Sequence, residues 1–141
     1  MKRAEIVAAA REWLGTPYRH QAATPGAGCD CLGLLRGVWR SLYGDEADVP
    51  NYRADWRDAR HAAGLLAAAE ELMAPAGDEV LAGQVVLFRL GQTMAPKHCG
   101  VLVAPERFVH AQEGLGVVEA NLTEGWAKRI AGRYEFPGVT E

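Results

Sequence analysis

The sequence predicts an α+β fold, with N-terminal helices packed on one face of a C-terminal antiparallel β-sheet. Three observations lead there. The first half carries apolar residues at helical spacing, and the second half carries short β-rich runs separated by Gly and Pro. The two textures do not alternate, as a doubly wound fold would require. The 141 residues predict one domain over 1–141, large enough to bury a core without staples.

The elements follow in order. Lys2 to Leu14 places Ile6, Val7, Ala10, Trp13 and Leu14 at helical spacing. Gly15 is its stop, and Thr16-Pro17 makes continuation costly. Residues 19–28 read as a loop. From Cys31, the residues Leu34, Leu35, Val38 and Leu42 share a helical face that excludes Arg36, Arg40 and Ser41, and Gly44 ends the helix. Residues 45–54 are turn-rich. A third helix is expected from Asp55, its N-cap, to about Met73, with Trp56, Ala59, Ala63, Leu66 and Met73 on one side. The runs VVLFR, CGVLV, RFVHA, GVVEANL and one near RYEFP are the expected strands.

Composition narrows the function. A net charge of -3 leaves no basic footprint for nucleic acid. No stretch is long and apolar enough to span a bilayer, so no membrane insertion is expected. Arg11 and Glu12 interrupt the N-terminal apolar run, which reads as a helix rather than an export signal. The expectation is therefore synthesis in the cytoplasm without a signal peptide. Three cysteines, an odd number, do not suggest a disulfide framework.

The stretch GCDCLGLLRGVW holds Cys29 and Cys31 at the start of the second helix. A helix N-terminus favours negative charge, so a cysteine there ionises more readily. Cys31 occupies that place and its own N–H could help hold an oxyanion, while Cys29 lies two residues earlier, before the helix. Asp30 falls near the N-cap, where a carboxylate accepts backbone N–H bonds. From this stretch alone the leading reading of Cys31 is a buried core thiol, as free cysteines often are.

A thiol nucleophile needs an imidazole, and the imidazole needs an orienting group. His20 lies in a loop and His61 in mid-helix, and both read as surface. His98 opens CGVLV and His110 closes RFV, with the turn signal Ala104-Pro105-Glu106 between them. A hairpin centred on Ala104 makes the two histidines cross-strand neighbours. Zinc is an alternative use of Cys29, Cys31, His98, Cys99 and His110. The Cys-x-Cys spacing is not a usual knuckle, and Cys99 alternates to the opposite sheet face from His98.

Taken together, Gly15-Thr16-Pro17-Tyr18, Asp30-Cys31-Leu32-Gly33, His98-Cys99-Gly100 and His110 resemble the motifs of the NlpC-type cell-wall cysteine peptidases. The chain departs from them in having Leu32 where serine is usual, with Cys29 added. The resemblance implies a papain-like fold and a peptidoglycan endopeptidase with Cys31 as nucleophile, His98 as general base and acid, and His110 as orienter. It implies Tyr18 and the Cys31 N–H at the oxyanion, packing roles for Cys29 and Cys99, and no metal or organic cofactor. The implied substrate is the peptide stem of peptidoglycan, at a bond between D-glutamate and a diamino acid. The wording TPYRHQ…GCDCLGLLRGVW and the RYEFPG ending are similar to a narrower branch, the peptidases of phage tails and phage-like gene transfer agents. That implies tail or baseplate proteins as partners and delivery with the particle. Rival readings are a non-catalytic tail docking module with the same fold, a structural zinc domain, and a related amidase or acyltransferase.

Overall fold

The structure is a computed structural model that describes residues 1–47, 63–91 and 95–140. The N-terminal part holds α1 (Arg3–Arg11), β1 (Ala23–Thr24), β2 (Gly28–Cys29), α2 (Cys31–Tyr43) and α3 (Ala63–Leu72). Then come β3 (Ala74–Pro75), β4 (Val85–Phe88), β5 (His98–Ala104), β6 (Arg107–Gln112), β7 (Gly116–Asn121), α4 (Glu124–Ala127) and β8 (Ile130–Glu135). Strands β3 to β8 form one sheet in the order β3-β8-β4-β5-β6-β7, with every neighbouring pair antiparallel.

Several elements differ from their sequence-based outlines. Helix α1 ends at Arg11, and the chain turns through to Gly15, whose φ of 85° favours a residue without Cβ. Ile6, Ala9, Ala10 and Trp13 are buried on this segment, while Leu14 is exposed. The expected loop at 19–28 contains the short antiparallel pair β1–β2. Helix α2 starts at Cys31 and ends at Gly44, which is left-handed with φ 80°. Of the third helix, the stretch Asp55–Ala59 and its cap lie outside the described residues, as does His61. The described part buries Leu65, Ala68 and Ala69, and leaves Leu66 only half-buried, so its inner face lies one residue from the expected one. Neither β3 nor α4 was legible in the pattern. Thr123 caps α4 by accepting from the Trp126 N–H.

Both faces of the sheet are covered, which explains why β4 reads VVLF without alternation. One face carries Val85, Leu87, Cys99, Val101, Val109 and Ala111 against α1, α2 and α3. The other carries Val86, Phe88, Leu102 and Phe108 beneath Trp126 and Ile130. Arg3 of α1 grips the Glu135 carboxylate on β8 with two N–H donors. This fork ties the first helix to the last strand.

The packing of α1 on α2 depends on Gly37. A Cβ built there would lie 1.9 Å from Cζ2 of Trp13, so the indole rests on bare backbone. Gly37→Ala should therefore destabilise the fold by about 1–3 kcal/mol, the usual range for overpacking. Trp13→Leu in the same chain should recover part of that loss, because the two changes share one contact. Denaturant melts of the two single variants and the double variant measure the coupling. Equal, additive losses would contradict it.

Candidate active site

The N-terminus of α2 is built around Asp30. Its backbone is extended (φ -101°, ψ -173°), and its Oδ1 accepts from the Gly33 N–H at 2.7 Å. Its Oδ2 accepts from the Gln21 N–H at 2.7 Å and lies 3.9 Å from His20 Nδ1. The carboxylate is fully buried, so these bonds stand in for lost water. Gly33 is required here, since a Cβ would lie 1.8 Å from the Ala22 carbonyl oxygen. Cys31, the first residue of the helix, sits among N–H groups that have no intrahelical acceptor.

The Gly15–Tyr18 element is stitched beside this terminus. Gly15 N–H donates to Val117 O at 3.0 Å, and Val117 N–H donates to Thr16 O at 2.9 Å. Cys29 N–H donates to Pro17 O, and Arg19 N–H donates to Cys29 O, both at 3.0 Å. Tyr18 is thereby fixed next to Cys29, half-buried against the core.

The hairpin that carries the histidines turns at Pro105-Glu106, not at Ala104. The pairs are Val101–Val109, Leu102–Phe108 and Ala104–Arg107, with a register shift between Leu102 and Ala104. His110 therefore lies level with Gly100, and His98 reaches it diagonally. The rings still meet, with His98 Nε2 2.8 Å from His110 Nδ1. Gly100 makes the room: a Cβ there would lie 3.2 Å from His110 Cβ and 2.9 Å from the Val109 carbonyl oxygen.

Electrostatics separate the two neighbouring sulfurs. The Cys31 thiol is lowered to about 5. The largest cause is hydrogen bonding from the Cys99 thiol, whose Sγ also lies 3.3 Å from the Cys31 carbonyl oxygen as a donor to it. Hydrogen bonding and positive charge from His98 act the same way, while burial and the charge of Asp30 oppose them. The Cys29 thiol is instead pushed up to about 12, mainly by burial. Burial and the charge of His98 hold His110 down at about 3, so its ring stays neutral. If His98 Nε2–H donates to His110 Nδ1, the proton of neutral His110 sits on Nε2. That atom is buried without a hydrogen-bond partner in the structure.

Two residues without an expected role in the chemistry complete the site. Trp126 of α4 lies over both histidines, with centroid distances of 5.8 Å to His98 and 5.3 Å to His110, the latter edge-on. A T-shaped contact of this kind suits an N–H facing a ring. Cys99 packs under α2 as a core residue and also reaches Cys31. Cys31, His98 and His110 thus form one chain of contacts flanked by Asp30, while Cys29 is buried in the core. Among the described residues, no three His, Cys, Asp or Glu side chains converge as a metal site, so the zinc ligand set is not assembled there.

Known proteins share this architecture. The NlpC/P60 family model matches residues 15–134. The Murein DD-endopeptidase MepS/Murein LD-carboxypeptidase of Escherichia coli (strain K12) is 28% identical over 119 residues, covering 84% of this chain and 54% of that protein. The chain thus spans about half the length of that curated relative. The Gamma-DL-glutamyl hydrolase of Bacillus subtilis (strain 168) is 26% identical over 136 residues, or 96% of this chain and 30% of that protein. Among solved structures, the NlpC/p60 domain of the peptidoglycan hydrolase SagA superposes with a TM-score of 0.66 at 20% identity, covering 96% of this chain and all of that one. An NlpC/P60 protein from Bacillus cereus ATCC 10987 gives 0.70 at 18% identity, covering 95% of this chain and 40% of that one. The helix-borne cysteine and the paired histidines lie within the matched residues, on a fold shared with these papain-like domains, and the chain belongs to the NlpC/P60 family.

Proposed function

We propose that the protein is a cysteine endopeptidase that hydrolyses the peptide stems of peptidoglycan, with Cys31, His98 and His110 as its catalytic chain. The observation that carries this reading is the acidified thiol of Cys31 at the start of α2, beside a histidine that is itself oriented by a second one. The relatives' names, murein endopeptidase and γ-DL-glutamyl hydrolase, point to the same substrate class.

The mechanism is acyl transfer. The Cys31 thiolate attacks the carbonyl carbon of the scissile amide. The oxygen that gains charge is met by the Cys31 N–H and the Tyr18 hydroxyl, and fixed donors at that position are a large catalytic term. His98 uses Nδ1 toward the sulfur and the reacting atoms, because Nε2 is engaged with His110. It gives a proton to the departing amine as the C–N bond breaks, which leaves a thioester on Cys31. His98 then takes a proton from water, the hydroxide displaces the sulfur, and the carboxylic acid leaves. His110 holds the His98 ring and touches no substrate, so it is a positioning residue. The bond we assign is the one between D-glutamate and the diamino acid. The TPYRHQ…GCDCLGLLRGVW wording supports a place in the tail of a phage or gene transfer agent, docked on tail or baseplate proteins. Mass spectrometry of purified particles would test that place.

Incubation with purified peptidoglycan should leave glycan-attached stems ending in D-glutamate and free the amine of the diamino acid, identified by mass spectrometry after muramidase digestion. Intact stems after incubation would overturn the reading, and fragments cut elsewhere would reassign the bond. Cys31→Ala should abolish release, while Cys29→Ala keeps most of it.

Ultraviolet thiolate absorbance should show one ionised sulfur above a midpoint near pH 5, and Cys31→Ser should remove it. Deprotonation activates the nucleophile, so kcat/KM should fall as pH drops through that midpoint. A first thiolate appearing only in the ordinary thiol range would contradict this.

His98→Ala should cost about 100- to 10,000-fold in rate, the usual contribution of an acid–base group. His110→Ala should lower kcat by less, with KM little changed, and His110→Asn or His110→Gln should recover part of the loss. A fully active His110→Ala enzyme would remove His110 from the chain.

A further inference from the structure

The reading above puts the departing amine beside His98, and the sheet register shows what lies beyond it. Phe88 on β4 pairs with His98 on β5 and with Ile130 on β8. One residue further out, Lys97 N–H donates to Phe88 O at 3.0 Å, and Arg89 N–H donates to Arg129 O at 2.7 Å. Lys97, Arg89 and Arg129 therefore stand in a row across the same end of three adjacent strands. Three cations together are unexpected in a chain of net charge -3. Like charges on paired strands repel, and such a row persists at a cost unless an anion offsets it.

Lys97 adds a second, independent observation. It is only 8% exposed, and among the described residues its ammonium meets neither a hydrogen-bond acceptor nor an ion-pair partner. Its stem is packed while its ammonium stays open to solvent at the cleft, the usual arrangement of a lysine head group. It lines a cleft of about 330 Å³ together with His98, Trp126, Glu113 and Arg129. An adjoining cleft of about 430 Å³ shares Leu90 and Arg129 as walls and adds Arg89 and Lys128. Of the carboxylates nearby, Glu124 is already paired with Lys128 at 3.4 Å, and Glu113 lines the same cleft as Lys97 and Arg129 without forming an ion pair with either. Arg129 is oriented by the Trp126 ring, with its guanidinium carbon 5.7 Å from the centroid.

The geometry points to an anion-binding subsite on the amine side of the scissile bond, in which Lys97 and Arg129, with Arg89 on the adjoining cleft, bind a free carboxylate of the departing half of the stem. His98 lines the first cleft and must hand its proton to the departing nitrogen, so that half of the substrate enters there. This inference rests on the peptidoglycan-hydrolase reading and specifies what its substrate must carry. The carboxylate has two sources, the side chain of a dicarboxylic diamino acid or the C-terminus of the stem.

Three defined tripeptides of L-alanine, γ-linked D-glutamate and a dicarboxylic diamino acid distinguish them: one with both carboxylates of the diamino acid free, one amidated at its side chain, and one amidated at its C-terminus. One amidation should lower the wild-type kcat/KM by about tenfold or more, the size of one charge-assisted hydrogen bond. That ratio should shrink toward one in Lys97→Gln and Arg129→Gln, survive in Arg129→Lys, and shrink in the wild type at high ionic strength. Arg129 is exposed, so its variants report even if Lys97→Gln fails to fold. The subsite is overturned if neither amidation matters, or if the ratio persists unchanged in Arg129→Gln. If the wild type cleaves none of the three but cuts peptidoglycan at another bond, the bond assignment falls and the subsite with it; if it cuts neither, the hydrolase reading itself fails.

Discussion

The first turn of α2 has to hold a negative sulfur where almost no water reaches it, and the rest of the site is arranged around that requirement. Cys31 is 1% exposed. Burial favours the neutral thiol, and the buried carboxylate of Asp30 does so too. What offsets them is local: unpaired N–H groups at the helix start, the Cys99 thiol beneath, and the His98 ring beside. Asp30 acts against the nucleophile if its charge alone is counted. Its two short bonds, to Gly33 and Gln21, fix where the helix begins and so where the sulfur stands.

The sheet supplies the partners from both of its faces. Cys99 looks toward α2, while His98, one residue away, looks toward Phe88 and Trp126, as strand alternation requires. The sulfur at the helix start is close enough to both to be influenced by each. Gly100 and Gly33 are two of the points where a Cβ would collide, and both lie in the motifs that flank the reacting groups. The histidine pair then sits in an aromatic enclosure of Phe88, Phe108 and Trp126. Dry surroundings keep His110 neutral and strengthen the bond it offers His98.

The order of elements was legible because long periodic runs such as the one from Cys31 and short apolar runs such as VVLF carry strong signals. The meeting of His98 and His110 was also legible, although the turn lies at Pro105-Glu106 and the register is diagonal. Rings reach across a diagonal, so the contact tolerated that error. Trp126 was hidden because a four-residue helix has no period to read. The row of Lys97, Arg89 and Arg129 was hidden for another reason. These residues are scattered in sequence and become neighbours only through the β4–β5 and β4–β8 registers, the second of which contains an irregularity between Leu87 and Phe88. The pair β1–β2 is two residues long on each side, too short for any alternation to show.

The central claim is that Cys31, and neither of the other two buried cysteines, becomes acylated during turnover. Rapid acid quenching of the wild-type enzyme with a defined stem peptide, followed by peptide mapping, tests it directly. The account predicts a hydroxylamine-sensitive thioester on the fragment containing Cys31, at that residue and absent from Cys29 and Cys99. An acyl group on Cys29 or Cys99, or turnover with no covalent adduct under conditions that trap thioesters, would contradict it.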